Sequence, residues 1–138
     1  MTQITTRLRP HERLKDPAAF RLAFERRQGE SDRVLAVYGI ANGRDWSRLG
    51  ISVSRRKVRA ASARNRLKRR IREAFRLSKA DLPPGIDLVV VPRAHDPSFA
   101  TVRQSLVTLA RRLAHRLTNS RRRLSSPSPV EPRVESPP

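Results

Sequence analysis

Residues 61–78 constrain this chain most. Seven of the fifteen residues 62–76 are Lys or Arg and only Glu73 is acidic, yet Leu67, Ile71, Ala74 and Phe75 recur among them at helical spacing. At about 100° per residue, those four fall within roughly 100° of one another on a helix, with Ala63 close by. Asn65, Arg69, Arg72 and Arg76 fall on the opposite side, at i, i+4, i+7 and i+11. Arg64, Arg66, Lys68 and Arg70 fill the flanks. One face must therefore pack on an apolar surface, while the other presents an amide and three guanidinium groups in a line. Like charges at i, i+4 repel by a few tenths of a kcal/mol, about 0.2–0.5 each. Only Glu73, four residues after Arg69, is placed to relieve this. A face that is merely solvated would mix signs, so this one predicts a bound polyanion. Steps along the line are about 5–6 Å, comparable to phosphate separations along a strand.

The whole chain repeats the bias. Its 138 residues hold 31 Lys or Arg against 12 Asp or Glu, a net charge of +19. Only Lys15, Lys57, Lys68 and Lys79 are lysines, which leaves 27 arginines. Arginine grips phosphate with a planar fork and stacks on bases. Nucleic acid is the expected partner. The absence of cysteine excludes disulfides, thiolate catalysis and Cys-based zinc sites. Apolar runs such as "IDLVVV" are far too short to span a bilayer, and "MTQITTRLRP" lacks the apolar stretch of a signal peptide. A soluble, cytoplasmic protein without a membrane partner is expected.

Residues 1–15 read as a basic N-terminal extension. Asp16 suits an N-cap, Pro17 a first helical position and Gly29 a stop, which predicts a helix over about 17–27. "RVLAVYGIA" (33–41) and "SRLGISVS" (47–54) read as strands, and the turn residues between them predict that they pair as a hairpin. In the second strand Leu49, Ile51 and Val53 point one way, and Gly50, Ser52 and Ser54 the other. The basic helix follows over about 61–78. "LPPG" then breaks the chain before "IDLVVVPR" (86–93), a continuous apolar strand expected to be covered on both faces. A last helix over 98–117 carries Val102, Leu106, Leu109, Leu113 and Leu117 on one stripe. The strand at 47–54, the basic helix and the strand at 86–93 have the length of a βαβ crossover. The expected fold is α+β, in the order α-β-β-α-β-α, with three helices packed on a small mixed sheet of about four strands. An RNA-binding domain is expected over 16–119. A disordered tail, Arg-rich and then Pro/Ser-rich, is expected over 120–138.

No catalytic constellation stands out. The acids are scattered singly, and His11, His95 and His115 lie far apart in the chain. A metal nuclease needs clustered carboxylates or histidines, so neither catalytic residues nor metal ligands are assigned. Two readings fit the composition: a non-catalytic ribosomal or rRNA-binding protein, and a double-stranded DNA binder inserting the basic helix. The last lacks an apparent dimerisation stripe. The free protein is expected to repel itself and to fold more fully when anions neutralise it.

The run "ARNRLKRRIREAFRL" resembles the signature of the bacterial ribonuclease P protein component. "LRPHERLKDPAAFRLAF", "RLGISVSRRKV" and "LPPGIDLVVVPR" stand in the order and spacing of that family. The resemblance covers roughly residues 5–117. It implies a ribosomal protein S5 domain 2-like fold with an unusual, left-handed βαβ crossover. It also implies a protein without an active site, joined 1:1 to a catalytic RNA that removes the 5′ leader of precursor tRNA. In that family magnesium is bound by the RNA of the holoenzyme, and the protein alone binds no cofactor. The family's RNA-binding helix maps onto Arg64, Asn65, Arg66, Lys68, Arg69 and Arg72, with additional basic contacts at Arg55, Arg56, Lys57 and Arg76. Asn65 can both donate and accept, so it can read a base edge or a 2′-hydroxyl. The family's leader-binding cleft maps onto Phe20, Phe24 and Tyr38, with Ser52 and Ser54 as a small-residue floor. Phe20 and Phe24 lie on one helix face. Two phenylalanines on a short helix also suit a core, and base contact and core packing are both open for them.

Overall fold

In a computed structural model of the chain, residues 9–26 and 28–125 are described. A 3-10 turn at Pro10–Glu12 precedes α1 (Pro17–Glu25). There follow β1 (Gly29–Ser31), β2 (Leu35–Ala41), β3 (Arg48–Ile51), α2 (Ala61–Leu77), β4 (Ile86–Pro92) and α3 (Phe99–Ser125). The expected helices and strands are all present. Asp16 caps α1 by accepting the Ala18 N–H at 3.0 Å, and Pro17 opens the helix. Gly85 turns the chain after the prolines with φ +78°, a conformation that glycine adopts without strain.

The strand pairing differs from the expected hairpin. The sheet order is β1-β2-β4-β3, so β2 and β3 are not neighbours. β4 lies between them, antiparallel to β2 (Leu35↔Pro92 to Ala41↔Ile86) and parallel to β3 (Arg48↔Asp87 to Ile51↔Val90). The reason is burial. β4 places Ile86, Leu88 and Val90 in the main core and Val89 in a second cluster on the other face. A strand apolar on both faces is stable at the centre of a sheet, with both edges paired as well. Its one charge, Asp87, is 3% exposed and is satisfied by its register partner Arg48 (2.7 and 2.6 Å) and by Asn42 (2.9 Å). The short edge strand β1 supplies the fourth strand of the expected sheet, whose place in the chain had not been assigned.

α2 and α3 pack on one face of the sheet. Leu67, Ile71, Ala74 and Phe75 are the buried residues of α2, as the helical wheel requires. The α3 stripe Val102, Leu106, Leu109, Leu113 and Leu117 is buried throughout. α1 covers part of the opposite face, where Ala23, Leu14 and Val89 are buried beside Phe20 and Tyr38. α3 continues beyond 117 to Ser125, so residues 120–125 are helical where a disordered tail was expected. The Pro/Ser-rich remainder, 126–138, lies outside the described residues. No helix among the described residues is long and apolar enough to cross a membrane.

Candidate nucleic-acid interface

The outer face of α2 is densely cationic. Asn65, Arg66, Arg69 and Arg72 are exposed. With Arg13, Glu73 and Arg76, three of these (Asn65, Arg69 and Arg72) line a shallow groove of about 330 Å³. Glu73 does not relieve Arg69. It takes both arms of Arg76 instead, at 3.0 and 2.6 Å, and the hydrogen bond from Arg76 lowers its pKa. The other paired acids are engaged elsewhere: Asp87 with Arg48, Asp96 with Arg70, Glu12 with Lys79, Asp81 with Arg111 and Glu30 with Arg116. Among the described residues Lys68, Arg69 and Arg72 consequently have no carboxylate partner. A concentrated, uncompensated field of this kind attracts phosphate.

Arg64 has a local task. Its Nη1 donates to the carbonyls of Val58 and Arg59 at 2.9 and 2.8 Å and so pins the connection that leads into α2. Arg55, Arg56 and Lys57 are exposed on that connection. β3 ends at Ile51, although the Ser52 N–H still donates to Val90 O at 3.0 Å. Ser54 belongs to a turn and is not on the strand. Its Oγ accepts the N–H groups of Arg56 and Lys57 at 3.2 and 3.3 Å. Ser54 thus shapes the loop, as a serine that closes a turn does, and the small residue beneath Phe20 is Gly50.

Phe20, Phe24 and Tyr38 sit on the α1 side of the sheet. The rings of Phe24 and Tyr38 lie 5.1 Å apart, tilted by 59°, and Phe24 is 38% exposed. Phe20 is half-buried. It lines a second groove, of about 170 Å³, together with Leu14, Leu49, Gly50 and Ile51. Arg13, Lys15, Lys68 and Arg72 complete its walls. The arrangement joins an aromatic face to four cations, the combination that holds single-stranded nucleic acid by stacking and charge. Phe24 and Tyr38 do not line this groove; they lie on the same side of the sheet, at α1 and β2. Sequence reasoning missed Arg13, Lys15 and Gly50. Arg13 and Lys15 follow no helical or strand period that would mark them, and Gly50 differs from its neighbours only in being small.

Among the described residues no group of three or more His, Asp or Glu side chains is placed to hold a metal ion. His11 packs edge-on against Trp46, with ring centroids 5.1 Å apart.

The family Ribonuclease P matches residues 8–114. The ribonuclease P protein component of Thermotoga maritima is 40% identical over 119 residues, covering 82% of this chain and 98% of the relative. The structure of the RNase P protein from Thermotoga maritima superposes with a TM-score of 0.64 at 39% identity, covering 73% of this chain and 96% of that one. That of Staphylococcus aureus RNase P protein gives 0.62 at 32% identity, covering 75% and 94%. With its signature helix, its α+β architecture and these relatives in agreement, the chain belongs to the ribonuclease P protein component family.

Proposed function

We propose that the chain is the protein subunit of a ribonucleoprotein that removes the 5′ leader of precursor tRNA. The catalytic RNA docks on α2 through Arg64, Asn65, Arg66, Lys68, Arg69 and Arg72, with Arg76 and the 55–57 connection adding charge. The single-stranded leader lies along the α1 side of the sheet, over Phe20, Phe24 and Tyr38. The RNA carries the chemistry with its own magnesium, one protein serves one RNA in the cytoplasm, and the protein supplies charge neutralisation and position. The observation that carries this reading is the groove in which Phe20 meets Lys68 and Arg72. One surface there offers both a stacking face and phosphate-binding groups, and a protein that only coats folded rRNA has no need of the first.

The test is reconstitution. Protein, catalytic RNA and precursor tRNA are mixed at limiting magnesium and leader release is followed. The protein should stimulate cleavage and lower the magnesium requirement. If it does neither while still binding RNA, the ribosomal-type reading replaces this one.

A further inference from the structure

The segment before α1 is docked on the fold. Glu12 is buried and takes Lys79 Nζ at 2.7 Å, while its Oε1 also accepts the Arg9 N–H at 2.7 Å. Leu14 is 4% exposed, and its N–H donates to Leu49 O at 2.8 Å. That bond places Arg13 beside Leu49, on the outer edge of β3. Anchors one residue to either side thus hold the backbone of Arg13 in place. Its side chain is exposed and lines both grooves, the one with Phe20 and the one with Asn65 and Arg69. Arg72 lines both as well. Among the described residues neither arginine has a carboxylate partner.

Two guanidinium groups that line the same two grooves can bind one anion together. The guanidinium fork suits phosphate oxygens, and such charge-assisted bonds are stronger than neutral ones. We propose that Arg13 and Arg72 form a phosphate-binding site that takes a backbone phosphodiester of RNA where the two grooves meet. The pair then holds the strand in the Phe20 groove in register with the RNA on α2. Arg13 is a positioning residue that couples the two binding events. This inference rests on the function proposed above.

The experiment uses the reconstituted holoenzyme. It measures affinity for the catalytic RNA, and for precursor tRNA with and without its leader. Two control variants define the grooves: Arg69→Ala weakens binding of the catalytic RNA, and Phe20→Ala removes the preference for a leader. Arg13→Ala should weaken both by about tenfold, the size of one lost charge-assisted bond. Arg13→Lys should restore part of each, since charge returns without the fork. Combining Arg13→Ala with Arg72→Ala should cost less than the sum of the two, because they share one ligand. If the controls behave so and Arg13→Ala leaves either affinity unchanged, the shared site is wrong. If the controls also do nothing, the proposed function itself fails. The Arg13 side chain has no hydrogen-bond partner among the described residues, so its loss should leave the thermal unfolding midpoint unchanged.

Discussion

The ring tip of Phe20 rests on the α-carbon of Gly50. A β-carbon at residue 50 would lie 2.5 Å from Cζ of Phe20, closer than any real contact. The half-buried ring therefore closes the second apolar cluster while its remaining surface lines the groove. Core packing and base contact, both open for Phe20 from sequence, are compatible in one side chain.

Gly50→Ala should displace that ring. Overpacking of this kind costs about 1–3 kcal/mol, read from urea unfolding, and the leader preference should fall with it. A variant as stable as the parent and with full leader preference would mean that the ring has room to move.

Phe24→Ala is read in both folding and binding. The side chain is 38% exposed and its neighbour is Tyr38, so destabilisation should be about 1–3 kcal/mol, the covered apolar area plus an aromatic pair. Affinity for leader-bearing precursor should fall by about 1–3 kcal/mol if a base stacks there. Unchanged affinity in a filter-binding titration would remove Phe24 from the leader path.

Arg69→Ala with Arg72→Ala should lower the dependence of log K for the catalytic RNA on log salt by about 0.7–0.9 units per lost phosphate contact. Folding stability should hold or rise slightly, because Arg72 no longer repels Lys68 and Arg76, four residues to either side. An unchanged slope would show that the α2 face is only solvated.

Asp32 ties the β1–β2 turn to α3. It accepts Val34 N–H and Leu35 N–H at 2.8 and 2.9 Å and the Ser105 hydroxyl at 2.7 Å. Burial opposes its ionisation, but the bonds from Ser105, Leu35 and Val34 outweigh it, with Arg112 adding attraction. Its pKa lies below the ordinary 3.8. A lowered folded-state pKa adds stability that is complete above the unfolded value and is lost as pH falls through the folded one. Asp32→Ala should therefore cost about 1–3 kcal/mol at neutral pH, with the gap to the parent narrowing below about pH 4. Unfolding curves across that range check it; a gap independent of pH would show that the charge is not what matters.

Helical period alone placed Leu67, Ile71, Ala74 and Phe75 inward and the Asn65 to Arg76 line outward, because side-chain direction on a helix follows from local geometry. The α3 stripe was legible for the same reason. The neighbour of each helix flank was not. Lys68 turns to the Phe20 groove, while Arg70, on the other flank, meets Asp96 and the Pro97 carbonyl. Likewise Glu73 satisfies the i, i+4 pattern with Arg69, yet pairs with Arg76 three residues on.

Composition and periodicity thus determined the helices, most of the strands, the buried stripes and the expectation of a nucleic-acid partner. The tertiary structure decided that β4 divides β2 from β3, that Gly50 lies beneath Phe20 and that the docked segment brings Arg13 to the two grooves that Arg72 also lines. These are long-range pairings, selected by which arrangement buries the most apolar surface and satisfies charges such as Asp87 and Glu12. Local spacing carries no record of that competition.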